Sequence, residues 1–272
     1  MKIGFFDSGL GGLTILRETV KELPQYSYYY YGDTKNLPYG DKEESEIYEL
    51  SKVGMRYLFD KEVSLAIIAC NTASAETARK LQREFLPQEY PDRKILGIIV
   101  PTVEEIISTV DETGCGDKRV LLLATKRTVS SDKYKIELAK KCSKEIDLQT
   151  VATPQLVPFI EAGEIDLAAQ EAIKIIADKA GDSQIVVLGC SHYAQLKKQL
   201  RERFGTEKTI LSQDEIIPQK LRSYLDNHPE IEQKLDKKTQ TRTIHLTKHR
   251  PDYDLLMGQF LNGTYVPNQD SA

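Results

Sequence analysis

Leu65-Ala66-Ile67-Ile68-Ala69-Cys70-Asn71-Thr72-Ala73 begins as an apolar run and passes through a cysteine into a helical pattern. The stretch from Ile185 to Tyr193 repeats this arrangement, with Cys190 followed by Ser191 and His192. Short apolar runs that lead into helices are typical of buried strands in α/β proteins. At a strand-to-helix turn, the helix N-terminal amides favour the thiolate form of a cysteine. The repeated context therefore predicts a matched pair of thiols.

Short apolar runs alternate with amphipathic helical patterns through most of the chain, which predicts an α/β fold with mostly parallel strands. The run Ile95–Ile99 is predicted as one of these strands. We expect two similar lobes, one formed by residues 1–97 plus 207–272 and the other by residues 98–206. Open α/β sheets bind ligands at the carboxyl ends of their strands, so the active site is expected in the cleft between the lobes.

Composition excludes several classes of partner. The 272 residues carry a formal net charge of −4 without a basic run, which argues against binding to nucleic acid or to an anionic membrane. No apolar stretch reaches the ~18 residues of a membrane-spanning helix, and the N-terminus does not resemble a secretory signal.

The cysteine pattern predicts free thiols. Four cysteines at positions 70, 115, 142 and 190 are widely spaced, which favours a reducing cytoplasm over a disulfide framework. No metal is expected, because Cys190 and His192 lack a local partner pair that would complete a zinc site. Cys115 and Cys142 are interpreted as incidental.

Asp7-Ser8-Gly9-Leu10-Gly11-Gly12 lies between a predicted strand and a predicted helix. Its glycines do not have the spacing of a dinucleotide-binding loop. A small substrate with an ammonium and a carboxylate fits better, with Asp7 facing the cation and Ser8 and the loop amides facing the anion. The alternative is a tight turn in which Asp7 caps the helix.

Each remaining candidate also has a structural interpretation. A single cysteine is commonly a buried core residue, but the shared context of Cys70 and Cys190 favours catalysis. His192 is close enough in sequence to Cys190 to influence its proton. Glu161 is either a solvated acid at a helix end or a carboxylate that orients His192. The segment Thr125-x-x-Thr128 either caps a helix or offers hydroxyls to the cleft.

Several motifs in order resemble the glutamate racemases, which are cofactor-independent members of the aspartate/glutamate racemase family. The resemblance covers roughly residues 3–211. The motifs that carry it are Phe6–Gly12, Gly32–Gly40, Ala69–Ala75, Ala124–Thr128, Leu156–Gly163 and Leu188–Tyr193.

The resemblance implies a two-lobed racemase that needs no cofactor. Cys70 and Cys190 would stand on opposite faces of the substrate Cα, one removing the α-proton and the other donating one. Asp7 would assist Cys70, and His192 with Glu161 would assist Cys190. The implied substrate-binding residues are Asp7, Ser8, Tyr39, Gly40, Asn71, Thr72, Thr128, Ser191 and His192.

The same resemblance implies a biological setting. The substrate would be glutamate, the protein a cytoplasmic homodimer, and the product D-glutamate for peptidoglycan synthesis, cell-wall biogenesis and cell shape.

The chain departs from the usual family pattern at four places. Ser191 stands where threonine is usual, Ala194 where proline is usual, and Val100 where an acidic residue is common. Ser212-Gln213 replaces a common aspartate-serine pair. These departures bear on substrate choice and rate rather than on the class of reaction.

Three other functions remain open from the sequence. One is a racemase of the same group that acts on aspartate or another amino acid. Another is a non-catalytic binding protein on the same scaffold, which the two retained cysteines disfavour. The third is a cysteine hydrolase that uses Cys190 and His192, which would leave Cys70 unexplained.

Overall fold

The computed structural model describes residues 1–113, 119–142, 146–262 and 268–269, so Cys115 lies outside the described residues. The strands are β1 Lys2–Asp7, β2 Tyr28–Gly32, β3 Val63–Ile68, β4 Lys94–Gly97, β5 Arg119–Ala124, β6 Asp147–Ala152, β7 Ile185–Gly189, β8 Thr209–Ser212, β9 Arg242–Leu246 and β10 Asn268–Gln269. The α-helices are α1 Leu13–Glu22, α2 Glu44–Asp60, α3 Asn71–Lys80, α4 Leu86–Glu89, α5 Ile99–Thr113, α6 Lys126–Ser130, α7 Lys133–Lys141, α8 Leu156–Glu161, α9 Ile165–Lys179, α10 Lys197–Phe204, α11 Gln213–Asp226, α12 Pro229–Glu232 and α13 Tyr253–Leu261.

The strands form two sheets. The first has the order β10-β9-β2-β1-β3-β4 and the second β6-β5-β7-β8. Within the described ranges every paired strand runs parallel to its neighbour. The predicted α/β class with two mostly parallel sheets is confirmed.

The first sheet is buried on both faces, as expected for parallel strands covered by helices. Successive side chains of a strand point to opposite faces, and the tyrosines of β2 show this alternation. Tyr28 and Tyr30 belong to a core that continues into the second sheet. Tyr29 and Tyr31 belong to a separate core on the other face, together with α2 and α3. The shared core holds the two sheets against each other.

The strand predicted over Ile95–Ile99 is too long at its C-terminal end. Strand β4 ends at Gly97, and Ile99 already begins α5. The backbone leaves the sheet here because the Ile98 N–H donates to Ser74 Oγ of α3 at 3.1 Å. Pro101 then lies in the first turn of α5, where a missing N–H costs no helical hydrogen bond.

Strand β8 bears on the predicted division into lobes. Residues 207–272 were assigned to the first lobe, but β8 pairs with β7 in the second sheet. In that sheet β8 is a parallel edge strand beside β7, with Leu211 opposite Val187. The division at 97/98 and 206/207 stays a prediction.

Two further observations concern the helices. After Cys190 the chain first forms a 3-10 helix over Ser191–Leu196 and only then the predicted α-helix, here α10.

Among the helices of the described ranges, none is both long and apolar enough to cross a bilayer.

Candidate active site

A cavity of about 510 Å³ lies at the carboxyl ends of strands from both sheets. Ten of the residues predicted for the site line it: Ser8, Tyr39, Gly40, Cys70, Asn71, Thr72, Glu161, Cys190, Ser191 and His192. The strand register explains much of this convergence. Phe6 of β1 is opposite Ile68 of β3, so Ser8 and Cys70 follow side by side. Ala124 of β5 is opposite Gly189 of β7, so Thr125 and Cys190 are also neighbours.

Cys70 is held by neutral donors. It is the N-cap residue of α3, and its sulfur accepts hydrogen bonds from Ser8 Oγ at 3.3 Å and from the Ala73 N–H at 3.5 Å. Burial, followed by the negative charge of Asp7, raises the pKa of the Cys70 thiol to about 12. The two hydrogen bonds act in the opposite direction but are weaker. Burial and the charge of Asp7 therefore favour the neutral thiol form of Cys70.

Cys190 has an ionisable partner. Its sulfur lies 3.8 Å from His192 Nδ1, and His192 Nε2 donates to Glu161 Oε1 at 3.1 Å. Burial disfavours charge on the imidazole, but the hydrogen bonds to Cys190 and Glu161 outweigh it and raise the pKa of His192. A charged imidazole at this position stabilises negative charge on the neighbouring sulfur.

Glu161 supports that charge from the end of α8. Burial alone would raise the pKa of its carboxyl group, but the hydrogen bond and charge of His192 lower it below the ordinary value. The charge of Arg250 acts in the same direction. The sequence left Glu161 open between a solvated acid and a partner of His192, and the observed contact favours the second.

Asp7 lies behind the cavity wall and is fully buried. Its Oδ1 accepts the Gly9 N–H at 2.8 Å, and its Oδ2 accepts Ser191 Oγ at 3.0 Å. Burial raises its pKa, although the charge of His192 opposes this. The resemblance implied that Asp7 assists Cys70, whereas its direct side-chain bond is to the residue after Cys190.

The surroundings of Gly11 explain why the loop after β1 has a glycine at this position. A Cβ on Gly11 would lie 2.5 Å from both His192 Nδ1 and Ser191 Oγ. Such a distance is incompatible with any side chain, so the loop after β1 approaches the turn after β7 only because this residue is glycine.

A chain of threonine hydroxyls joins α3 to α6 at the edge of the cavity. Thr72 Oγ1 and Thr125 Oγ1 are 2.9 Å apart, and Thr125 Oγ1 is also 2.9 Å from Thr128 Oγ1. Thr125 lines the cavity and caps α6 by accepting the Thr128 N–H. Thr128 is buried behind Thr125, so its predicted contact with substrate would have to pass this hydroxyl chain.

Asp33 holds the hydroxyl group of Tyr39 in place. Its hydroxyl donates to Asp33 Oδ2 at 2.6 Å, and Thr247 next to β9 donates to Asp33 Oδ1 at 2.9 Å. Burial and the negative charge of Asp33 raise the pKa of Tyr39, so its hydroxyl stays neutral. This anchor positions the Tyr39-Gly40 turn, which follows a cis peptide bond at Leu37-Pro38, against the cavity.

Two cations at the cavity were not predicted. Lys126 is the first residue of α6, and Arg250 comes from the loop after β9, where it pairs with Asp252 at 2.7 Å. Lys126 follows Thr125 directly, so its place beside the threonine motif was a usable signal. Arg250 lies outside the motifs, and only the folded chain brings it to the site.

The arrangement offers two sulfur acid–base groups to one small ligand, surrounded by hydroxyl, amide and imidazole donors. Within residues 1–113, 119–142 and 146–262, no group of three or more acidic, histidine or cysteine side chains has the geometry to hold a metal ion.

Comparison with known proteins places these features in context. Residues 23–215 match the family model described as Asp/Glu/Hydantoin racemase. A glutamate racemase of Ruegeria pomeroyi is 33% identical over 243 residues, which cover 85% of this chain and 87% of the relative. The crystal structure of glutamate racemase from Francisella tularensis in complex with D-glutamate superposes with a TM-score of 0.81, at 26% identity, covering 100% and 97% of the two chains. A Bacillus anthracis glutamate racemase isoform shares the fold, with a TM-score of 0.84 at 23% identity and the same coverage.

Proposed function

The chain belongs to the Asp/Glu/Hydantoin racemase family, and from this premise we propose that it interconverts L-glutamate and D-glutamate without a cofactor. One observation carries the proposal. Cys70 from the first sheet and Cys190 from the second line the same cavity, each after the carboxyl end of a parallel strand. Inversion at a carbon centre requires two acid–base groups, one for each face of that carbon.

The proposed reaction has two proton transfers. One sulfur, as thiolate, takes the α-hydrogen of glutamate as a proton, and the C–H electron pair remains on the substrate as a carbanion. The other sulfur, as thiol, gives its proton to the opposite face of the same carbon and becomes a thiolate. The product is the other enantiomer, and the two sulfurs have exchanged protonation states. Starting from that enantiomer, the roles are reversed.

The carbanion requires stabilisation by the protein. Donors fixed before substrate arrives stabilise developing charge most effectively where water is excluded. Ser8, Asn71 and Thr72 provide such groups around Cys70, and all three are less than 10% exposed. We assign them to the carboxylate groups of the substrate. Ser191 is assigned to its ammonium group, and Asp7 acts on that group through its hydrogen bond to the Ser191 hydroxyl.

The names of the relatives support glutamate as the substrate rather than aspartate. Lys126 and Arg250 at the cavity suit a substrate with two carboxylates, a property that glutamate and aspartate share, since cations lining a cleft attract anions. The proposal extends to a cytoplasmic homodimer that supplies D-glutamate for peptidoglycan, as the family resemblance implies.

Exchange of the α-hydrogen in deuterated water tests the proposal. The protein is incubated separately with L-glutamate, D-glutamate, L-aspartate and D-aspartate, and deuterium incorporation and optical rotation are followed. We expect both glutamate enantiomers to racemise with incorporation of solvent deuterium and both aspartate enantiomers to react much more slowly. Faster reaction of aspartate would overturn the substrate assignment, and no reaction with any of the four would overturn the enzyme assignment.

A further inference from the structure

We propose that Gln213 is a positioning residue that fixes the side-chain amide of Asn71, so that Asn71 presents an N–H to a substrate carboxylate. The ligand's identity rests on the proposed function, whereas the amide arrangement itself does not. Gln213 begins α11 and does not line the cavity, so it acts only through Asn71.

The two amides form a reciprocal pair. Asn71 Nδ2 donates to Gln213 Oε1 at 2.6 Å, and Gln213 Nε2 donates to Asn71 Oδ1 at 3.0 Å. Both side chains are at most 3% exposed, so water does not compete for these bonds. A buried pair of this kind is stable because each amide satisfies a donor and an acceptor of the other.

A third group completes the orientation. The Tyr134 hydroxyl donates to Asn71 Oδ1 at 2.7 Å, so both lone pairs of this carbonyl oxygen are occupied. Asn71 Nδ2 carries two hydrogens, and Gln213 Oε1 accepts one of them. Asn71 lines the cavity, so the second hydrogen is the group it has left to offer a ligand.

The orientation matters because the terminal torsion of an asparagine is soft and roughly two-fold. An unrestrained amide exposes its oxygen as readily as its nitrogen, and an exposed oxygen repels a carboxylate. A donor that is already fixed binds without the entropy loss of being ordered. Gln213 is in turn held by Thr102, whose Oγ1 accepts the Gln213 Nε2–H at 3.1 Å.

The first test compares Gln213→Met with Gln219→Met, an exposed position on the same helix. For Gln213→Met we expect KM for glutamate to rise about 10-fold with kcat changed less than about 3-fold, because a binding interaction common to ground and transition state is weakened. Gln219→Met should match the wild type. In the Asn71→Ala background, Gln213→Met should change KM less than about 2-fold, since its effect passes through Asn71. An equal effect in both backgrounds, or an unchanged KM in the first, would overturn the proposal.

The second test needs no activity. In nitrogen-15 spectra, one Asn71 Nδ2 proton of the free protein should exchange slowly with solvent, and added D-glutamate should slow exchange of the other. Gln213→Met should remove the first protection. If the first protection is absent in the wild type, the amide pair is wrong. If it is present but no glutamate enantiomer binds or racemises, the proposed function fails and the carboxylate assignment of Asn71 fails with it.

Discussion

The two sulfurs of the site have similar backbone settings but different electrostatic surroundings. Cys70 accepts hydrogen bonds from a hydroxyl and a backbone amide, both neutral. Cys190 lies beside His192, whose charge is supported by Glu161. We call the part of the cavity around Cys70 the neutral wall, because it supplies neutral hydrogen-bond donors. The part around Cys190 is the charged wall, because it supplies a cation that is paired with a carboxylate.

Because these surroundings differ, the two directions of the proposed proton transfer start from inequivalent bases. L- and D-glutamate have equal free energies in water, so the equilibrium constant is unity and kcat/KM must be the same in both directions. An asymmetry between the two walls can therefore appear only in kcat and KM taken separately, and the direction with the larger kcat must have a KM that is larger by the same factor. Any measurement of the comparison has to separate these two quantities.

Removing either sulfur should change kcat more than any other substitution considered for the two walls. Cys70→Ala and Cys190→Ala should each lower kcat for racemisation at least about 1000-fold in both directions, because each direction of the proposed reaction uses both groups. The change is measured by polarimetry with each glutamate enantiomer. Cys142→Ala is the matched control, since Cys142 is a partly buried free thiol that does not line the cavity, and it should retain wild-type activity. Near-normal turnover in either single variant would rule out the two-base reaction.

Replacing His192 tests the charged wall alone. In the wild type, kcat for the direction that starts with Cys190 as base should depend on the charge of His192, so the pH profiles of kcat in the two directions should differ. The raised pKa of His192 keeps its charge at neutral pH, and that charge is lost only as the pH rises through this raised value. Cys70 has no such partner, and its pKa is about 12.

His192→Gln should therefore lower kcat about 100-fold in the Cys190 direction and bring the two pH profiles together. His228→Gln, on a histidine stacked against Tyr224 at the end of α11, serves as the control. Superimposable kcat profiles in the wild type would contradict the asymmetry, whatever the variant does.

Removing the Ser8 hydroxyl tests the neutral wall and should give the smallest effect. Ser8→Ala deletes one neutral hydrogen bond to Cys70, which contributes about 0.5–1.5 kcal/mol, so we expect kcat to fall about 2- to 10-fold. Initial rates with both enantiomers measure it, with the exposed Ser223→Ala as a control. A loss as large as that of His192→Gln would mean that the two walls are equally important.

The cysteine pair shows how far sequence reasoning reached. Strands are short apolar runs and their periodicity is local, so β3 and β7, each followed by a cysteine at the start of a helical segment, were readable from the chain alone. The contact of His192 with Cys190 was also readable, because the two residues are separated by one position. The boundary of β4 was not, since Ser74 from another helix decides where that strand ends.

The contacts that the sequence did not predict join segments that are far apart in the chain. The resemblance implied that Asp7 assists Cys70, which stays a prediction, whereas the hydrogen bond of its carboxyl group to Ser191, a residue 184 positions away, was not predicted. Gln213 was noted only as a departure from a family pattern, yet it fixes Asn71 across 142 positions. Neither pairing follows from local spacing, because both depend on how the two sheets are placed against each other.

Local periodicity in the sequence was sufficient to predict the α/β class and the two cysteines, and the family resemblance of short motifs added others of the ten predicted residues that line the cavity. Only the folded chain shows which residues contact each cysteine, which cations line the cavity and how the Asn71 amide is oriented. The physical reason is that a hydrogen bond or a charge pair depends on separations of a few ångströms, and only the packed core brings remote segments to those separations.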